Sequence, residues 1–399
     1  MTDTRPPVLI VGAGPVGLTT ALLLAKRGIP CTILQRGPDI IRTGSRAIVL
    51  LRSTLEMLNE AAPGIGQTLA ERGVTWRTKR TYYKNRLLFS ETYPLSDDAR
   101  YPLFVNVSQL ETDDLLLKAV QRYPSLINIH FNHTVKEVHQ TQHCVYVHTE
   151  EEGEFAADYV IGADGARSNV RKSLGVNLIG RRCDNRFLIA DVQAKLDIDH
   201  ERRFYYSPPS NPGFQAFMLP QPDNVWRLDW QVGLNATLEH ETARLDTRIQ
   251  SMIGRDVPYK IRWTSLYHFN NLRAEHFRVG RVFLAGDAAH LFSPFGGRGL
   301  NSGIADAYSL AKRLSDVIEK KALPEMLELY NTERQAAAIE NLAATSRVLR
   351  ILVPTTLLHR AARYLALQGS PYLNFCRRYV DSGPYAVKQK AINVSRGYS

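Results

Sequence analysis

The sequence predicts an α/β fold in which a parallel-sheet domain carries an inserted antiparallel sheet and ends in helices. Three observations predict it. The apolar run Val8-Leu9-Ile10-Val11 leads directly into a glycine string and a helical pattern. Two later strand-like runs, Asp158–Gly162 and Arg281–Leu284, also end in turns containing an Asp. Between them, residues 183–270 alternate polar and apolar, as in Phe204-Tyr205-Tyr206 and Trp226-Arg227-Leu228-Asp229-Trp230, the period of an antiparallel sheet.

The 399 residues are 44% hydrophobic and 22% charged, a globular composition, and the length exceeds what one core usually serves. The net charge of +11 is uneven: residues 346–399 hold nine Lys/Arg and one acid, Asp381, for +8, and the rest holds +3. A nearly balanced body without a nucleic-acid motif argues against a nucleic-acid partner. Four cysteines, Cys31, Cys144, Cys183 and Cys376, lie far apart, which argues against a disulfide framework and against a zinc module. No secretory signal precedes Val8, and no apolar run reaches the roughly 18 residues of a membrane span. The expectation is a cytoplasmic enzyme.

Val8–Val11 reads as a buried parallel strand. Gly12-Ala13-Gly14-Pro15-Val16-Gly17 follows with G-x-G-x-x-G spacing, then Leu18, Leu22 and Ala25 at helical spacing, Gly28 as a stop, and Cys31–Leu34 as a second strand. Glycines serve the tight turn and the close approach of a pyrophosphate, and the helix N-terminus supplies N–H groups to the phosphates. Gly12, Gly14, Pro15, Val16 and Gly17 are therefore candidate cofactor contacts. The acid usual at the end of the second strand is replaced by Gln35, followed by Arg36, so the adenosine ribose would meet an uncharged amide. Gly64-Ile65-Gly66 lacks a preceding strand, so no second dinucleotide fingerprint is present and a nicotinamide cofactor would bind transiently.

The second motif is Asp158-Tyr159-Val160-Ile161-Gly162-Ala163-Asp164-Gly165; the third, Arg281-Val282-Phe283-Leu284-Ala285-Gly286-Asp287, precedes the loop Pro294-Phe295-Gly296-Gly297-Arg298-Gly299-Leu300-Asn301 and a helix. With these three fingerprints in order, residues 7–345 resemble the group A flavoprotein monooxygenases of the para-hydroxybenzoate hydroxylase fold, nearest the 3-(3-hydroxyphenyl)propionate hydroxylase branch. Ser45-Arg46-Ala47 and Gln109-Leu110-Glu111 are further matches. Many members of that branch continue into a thioredoxin-like domain that this chain does not reach.

The resemblance implies a Rossmann-like FAD-binding domain in three parts (1–75, 101–182 and 271–345), a substrate domain made of 76–100 and the 183–270 sheet, and basic C-terminal helices over 346–399. Arg46 and Gln109 would line the flavin–ribityl side, Asp164 would serve both FAD and the nicotinamide cofactor, and Gly286 and Asp287 would hold the ribityl chain. Pro294, Gly297, Gly299, Leu300 and Asn301 would present backbone to the isoalloxazine, with the helix dipole favouring a reduced, anionic ring. Tyr205, Phe217, Trp230, Tyr267, Pro294 and Phe295 are candidate substrate contacts, each weighed against ordinary packing. The implied activity is hydroxylation of a small phenolic substrate with dioxygen through a flavin C4a-hydroperoxide, with NADPH or NADH as reductant.

No catalytic base stands out. Epoxidation, dehydrogenation or halogenation on the same fold remains an alternative, the last weakened by the absence of a W-x-W-x-I-P stretch. A non-catalytic flavin-binding protein at a membrane is another. Arg298 stands where the family commonly has Gln, and is open to a substrate carboxylate, a cofactor phosphate or a structural role. His130, His133, His139, His143 and His148 crowd one stretch but match no metal-ligand spacing, so solvated strand histidines and no metal are expected; His290 is expected to pack behind its motif. In the tail, Pro354 should separate two helices that cover the FAD domain with Arg347, Arg350, Arg360 and Arg363 on the wet face. The rival use of that segment is peripheral contact with an anionic membrane. A homodimer is left open.

Overall fold

The computed structural model describes residues 5–40, 47–94, 99–151, 153–354 and 356–381. The buried run Val8–Val11 pairs in parallel with Cys31–Gln35 on one side and Tyr159–Gly162 on the other. Ile127–Phe131 and Val282–Leu284 extend the sheet in the same direction, and Arg278–Val279 closes one edge antiparallel, giving six strands. The helix Pro15–Ala25, buried from Gly17 to Ala25, crosses from the first strand to the second, as a parallel connection requires. A three-stranded antiparallel sheet of Val135–Gln140, Val145–Thr149 and Glu154–Ala157 accompanies this domain.

The second sheet has eight strands, in the order His290–Leu291, Lys260–Ala274, Leu178–Gln193, Val225–Val232, Gln215–Pro220, Arg202–Tyr206, Thr78–Tyr83 and Arg86–Thr92. It reaches beyond 183–270 at both ends. It also pairs Arg202–Tyr206 in parallel with Thr78–Tyr83, a contact between distant segments that local alternation does not encode. The pleat divides its side chains between two cores. One face carries Phe187, Phe204, Tyr206, Phe217, Leu219 and Phe269; the other carries Leu188, Ala190, Ala216, Met218, Leu228 and Trp230, covered by the helix Leu245–Ile253.

The tail breaks at Pro354 as expected but departs from the expectation in where it packs. The helix Glu328–Leu352 runs unbroken across position 346 and ends before Pro354, after which come Leu357–Gly369 and Asn374–Val380. From Val348 onward these helices cover the first face of the eight-stranded sheet, where Val348, Leu349, Leu352, Ala366, Leu367, Cys376 and Val380 join the aromatic core; only the first half of Glu328–Leu352 packs on the parallel-sheet domain, through Tyr330 and Ala338. Polar anchors fix it: Tyr206 Oη donates to the Val380 carbonyl (2.6 Å), Gln215 Nε2 to that of Leu352 (2.7 Å), and buried Lys79 pairs with Asp381 (2.5 Å) and Glu91 (2.6 Å). Arg363 turns inward to the Leu352 carbonyl (2.7 Å), whereas Leu357 and Leu358 stand outward, 82% and 78% exposed.

Candidate active site

Register gathers the three motifs. Val11 pairs with Leu34 and with Gly162, and Gly162 with Leu284, so the turns that follow these strands lie side by side at the carboxyl edge of the sheet. Hydrogen bonds lace them together: Gly12 N–H to Leu34 O (2.8 Å), Ala163 N–H to Val11 O (2.8 Å) and Ala285 N–H to Gly162 O (2.9 Å). Crevices at this edge are where open α/β sheets bind ligands.

The glycine loop fits a pyrophosphate. A side chain at Gly17 would place its Cβ 2.0 Å from the Gly12 carbonyl oxygen, so the close turn requires glycine there. Gly14 differs, because a Cβ there meets no protein atom within 4 Å, which is open space in front of the helix. That helix begins with Pro15 and has neither a capping side chain nor an acid in its first turn, leaving its N–H groups for an anion. Val16 packs against the backbone of Gly286 and Gly303, so its role is in joining this helix to the third motif. Gln35 Oε1 accepts from the Ala13 N–H (3.0 Å), bracing the glycine turn. The ribose contact expected of Gln35 is thereby reduced to its Nε2 end. Arg36 is exposed beside it.

Asp164 is also partly committed. Its Oδ2 accepts from the N–H groups of Asn169 (2.7 Å) and Val170 (3.2 Å), capping the short helix Asn169–Ser173, and its buried Oδ1 has no partner. Burial raises its pKa against those hydrogen bonds. Gln109 opens the helix Gln109–Val120 and donates weakly to Asp113 (3.4 Å), whose pKa burial pushes up to about 7. Arg46 lies outside the described residues.

At the third motif, Asp287 is exposed within the otherwise buried stretch 282–290, so its carboxylate stands at the surface of the crevice. The turn beneath it rests on a buried network that the sequence reading missed. Asp306 accepts from the Gly286 N–H (3.0 Å), lies 2.6 Å from His290 Nε2 and accepts from Arg334 Nε (2.7 Å), all three side chains being buried. Burial would raise the Asp306 pKa, but His290 and Arg334 outweigh it and hold the group below its ordinary value. The signal was present: Asp306 is the one acid in the small, apolar stretch Gly303-Ile304-Ala305-Asp306-Ala307. His290 thus packs behind the motif.

The helix Arg298–Ile318 starts at Gly297, whose φ of 61° is left-handed, with no capping side chain and open space at Gly299. Asn301 does more than present backbone. Its Oδ1 accepts from Leu51 N–H (3.0 Å) and Thr54 Oγ1 (2.5 Å), and its Nδ2 donates to Val49 O (2.8 Å), tying this loop to the strand Val49–Leu51. Leu300 is half-buried and Pro294 exposed. Arg298 is buried and donates to Asn341 Oδ1, which favours its structural use.

The loop meets the eight-stranded sheet through Phe295, whose ring lies 5.7 Å from Phe187, 6.2 Å from Phe217 and 5.9 Å from Phe269. Tyr267 joins the same cluster, 5.2 Å from Phe269. Tyr205 and Trp230 do not: they belong to the opposite face, where Tyr205 stacks on Tyr82 (4.7 Å). The pleat alternates, so neighbours in sequence part company. Among the described residues no cluster of three or more His, Cys, Asp or Glu could hold a metal, and the histidines of 130–148 pair as His130 with His133 and His139 with His148.

Residues 5–345 match the family model described as the FAD binding domain. The chain belongs to this family of FAD-dependent monooxygenases. It is 34% identical over 350 residues to a flavin-dependent monooxygenase of Mycobacteroides abscessus, covering 83% of this chain and 71% of that one. It is 30% identical to a 3-(3-hydroxy-phenyl)propionate/3-hydroxycinnamic acid hydroxylase of Mycobacterium sp., covering 95% of this chain and 66% of that one. Its fold matches the crystal structure of p-nitrophenol 4-monooxygenase from Pseudomonas putida with a TM-score of 0.82, at 25% identity, over 95% and 97% of the two chains. FAD is the cofactor.

Asp287, exposed at the crevice, stands where the family resemblance expects a ribityl contact. Asp287→Ala is expected to weaken FAD binding by about 1–3 kcal/mol through a lost charge-assisted hydrogen bond. Titration of apoprotein with FAD checks this; an unchanged dissociation constant would remove Asp287 from the site.

Proposed function

We propose that this FAD-dependent monooxygenase hydroxylates a small phenolic substrate, using dioxygen and a transiently bound NADPH or NADH. The observation that carries the reading is the position of Phe295: the loop that opens the helix Arg298–Ile318, which the family resemblance sets against the flavin, also packs on the aromatic sheet face. A planar substrate on that face would lie against the cofactor. Bound FAD supplies electron transfer from the nicotinamide cofactor to dioxygen and delivery of one oxygen atom to the ring. The chain's own residues bind and orient. Gly14 and the helix N-terminus would hold phosphate, Asp287 would hold the ribityl chain, Gly297 to Asn301 would present backbone to the ring, and Phe187, Phe217, Tyr267 and Phe269 would exclude water from the substrate side.

The relatives named for p-nitrophenol and 3-(3-hydroxyphenyl)propionate supply the first compounds to assay. A yellow protein whose NADPH or NADH oxidation rises on adding either phenol, with a product heavier by one oxygen atom, supports the reading. Flavin-bound protein indifferent to phenols argues for a different reaction on the same fold. The two faces of the sheet give a sharper check. Phe217→Leu is expected to raise KM about tenfold, a loss of about 1.4 kcal/mol of aromatic contact. Trp230→Phe on the far face is expected to leave KM within about twofold, because it touches the other core. Equal effects of the two would place the substrate elsewhere.

A second reading concerns location. No helix among the described residues is long and apolar enough to cross a membrane. Yet Leu357, Leu358, Tyr364, Leu365, Tyr372 and Phe375 stand exposed beside Arg360 and Arg378, and no acid occurs between Glu340 and Asp381. An exposed apolar surface with one sign of charge suits an anionic lipid surface. Sedimentation with phosphatidylserine vesicles should be strong at low salt and fall at high salt, and Leu357→Ser with Leu358→Ser should weaken it at unchanged FAD content. Protein that stays in the supernatant at low salt rules the contact out.

A further inference from the structure

We infer that Asp229, supported by Gln215, is the polar contact that binds and orients the substrate's ring hydroxyl on the aromatic face; this rests on the phenolic reading above. Asp229 is the strand neighbour of Phe217 on one side and Ile189 on the other, so its side chain rises from the same face as the aromatic cluster that Phe295 touches. It is 5% exposed, and its Oδ1 is fully buried without a hydrogen-bond partner.

The nearest cation does not relieve it by contact. Arg227, two residues earlier on the same face, grips Asp191 with Nε to Oδ1 (2.7 Å) and Nη2 to Oδ2 (2.8 Å), and Gln221 Nε2 adds a third bond to that Oδ1 (2.7 Å). Asp191 therefore has the donors that Asp229 lacks. Burial pushes the Asp229 carboxyl up to about 8, against the attraction of Arg227 and with the repulsion of Asp191. Near neutral pH it is mostly the protonated acid, one donor and one acceptor at a single point.

Gln215 repeats the pattern. Its Nε2 is held by the Leu352 carbonyl (2.7 Å), which fixes the amide orientation and leaves Oε1 buried with no donor. Gln215 lies two residues from Phe217 on the same strand, hence on the same face and diagonal to Asp229. An acid without a hydrogen-bond partner and an amide oxygen without a donor, both buried on one aromatic face, cost stability in the bare protein. A ligand that brings a donor removes the cost, and a ring hydroxyl is such a donor. A methyl ether of the same ring can accept from Asp229 but brings no donor for Gln215, so the pair would select hydroxylated rings over their ethers.

The test compares p-nitrophenol with p-nitroanisole, and 3-(3-hydroxyphenyl)propionate with its methyl ether, by perturbation of the flavin spectrum in the FAD-loaded protein. Wild type should bind the phenol of at least one pair tenfold or more tighter than its ether. Asp229→Leu should abolish that preference, mainly by weakening the phenol, with FAD content intact and thermal stability equal or higher because a buried unpaired carboxyl is gone. Asp229→Asn, which keeps a donor and an acceptor, should retain part of it. A purely structural Asp229 would instead lower stability in both variants and leave the phenol-to-ether ratio unchanged, which overturns the inference alone. Wild type that binds neither phenol overturns the phenolic reading and this inference with it.

Discussion

Gly14→Val is expected to give a folded protein that retains no FAD. The backbone at Gly14, with φ −75° and ψ 177°, is extended and open to any residue, and a Cβ there meets no protein atom within 4 Å. The substitution therefore costs the bare protein little. Its branched side chain instead fills the space in front of the helix Pro15–Ala25, the proposed site of the FAD phosphates. Losing two or so charge-assisted hydrogen bonds and the helix-end attraction amounts to about 3–5 kcal/mol, a roughly hundredfold or greater loss of affinity. Flavin absorbance of the purified variant, with circular dichroism to confirm folding, measures it. A yellow Gly14→Val protein would move the pyrophosphate away from this loop.

Arg334→Met should have the largest effect on stability, about 3–5 kcal/mol, because it strips a buried carboxylate of a buried cation. Asp306 and Arg334 are both fully enclosed, and their bond of 2.7 Å lies under the Gly286–Asp287 turn. The methionine fills the volume but leaves Asp306 with only His290 and the Gly286 N–H. Chemical denaturation gives the difference. Since native Asp306 titrates below its ordinary value, its share of stability is present above the unfolded carboxylate pKa and is lost as pH falls through the lower native value. The gap between wild type and Arg334→Met should therefore narrow in acid. A gap that is small at neutral pH would show that the network does not support the turn.

What the sequence made legible follows from the range of each interaction. The glycine loop, the Asp-Gly turn and the Gly-Asp turn are local, each a short strand followed by residues that few other conformations accept, and the parallel register then brings them together. The fold class and the cofactor followed from them. Alternation marked 183–270 as a sheet but could not say which face meets the flavin loop, so Phe217 and Tyr267 were grouped with Tyr205 and Trp230 although the pleat separates them. The pairing of Thr78–Tyr83 with Arg202–Tyr206, and the covering of that sheet by the tail, depend on contacts more than a hundred residues apart. Side-chain commitments were equally out of reach. Gln35 bracing Ala13, Asn301 stapling Leu51 and Arg334 reaching Asp306 are choices made only once the elements have packed.

The proposed reaction places one atom of dioxygen on a phenolic ring beside Phe295. Turnover under ¹⁸O₂ with FAD, NADPH or NADH and p-nitrophenol or 3-(3-hydroxyphenyl)propionate, followed by mass spectrometry of the product, tests it directly. A ring-hydroxylated product carrying one ¹⁸O atom is the expected result. Nicotinamide oxidation that leaves the phenol unchanged and places all the ¹⁸O in hydrogen peroxide or water would contradict it.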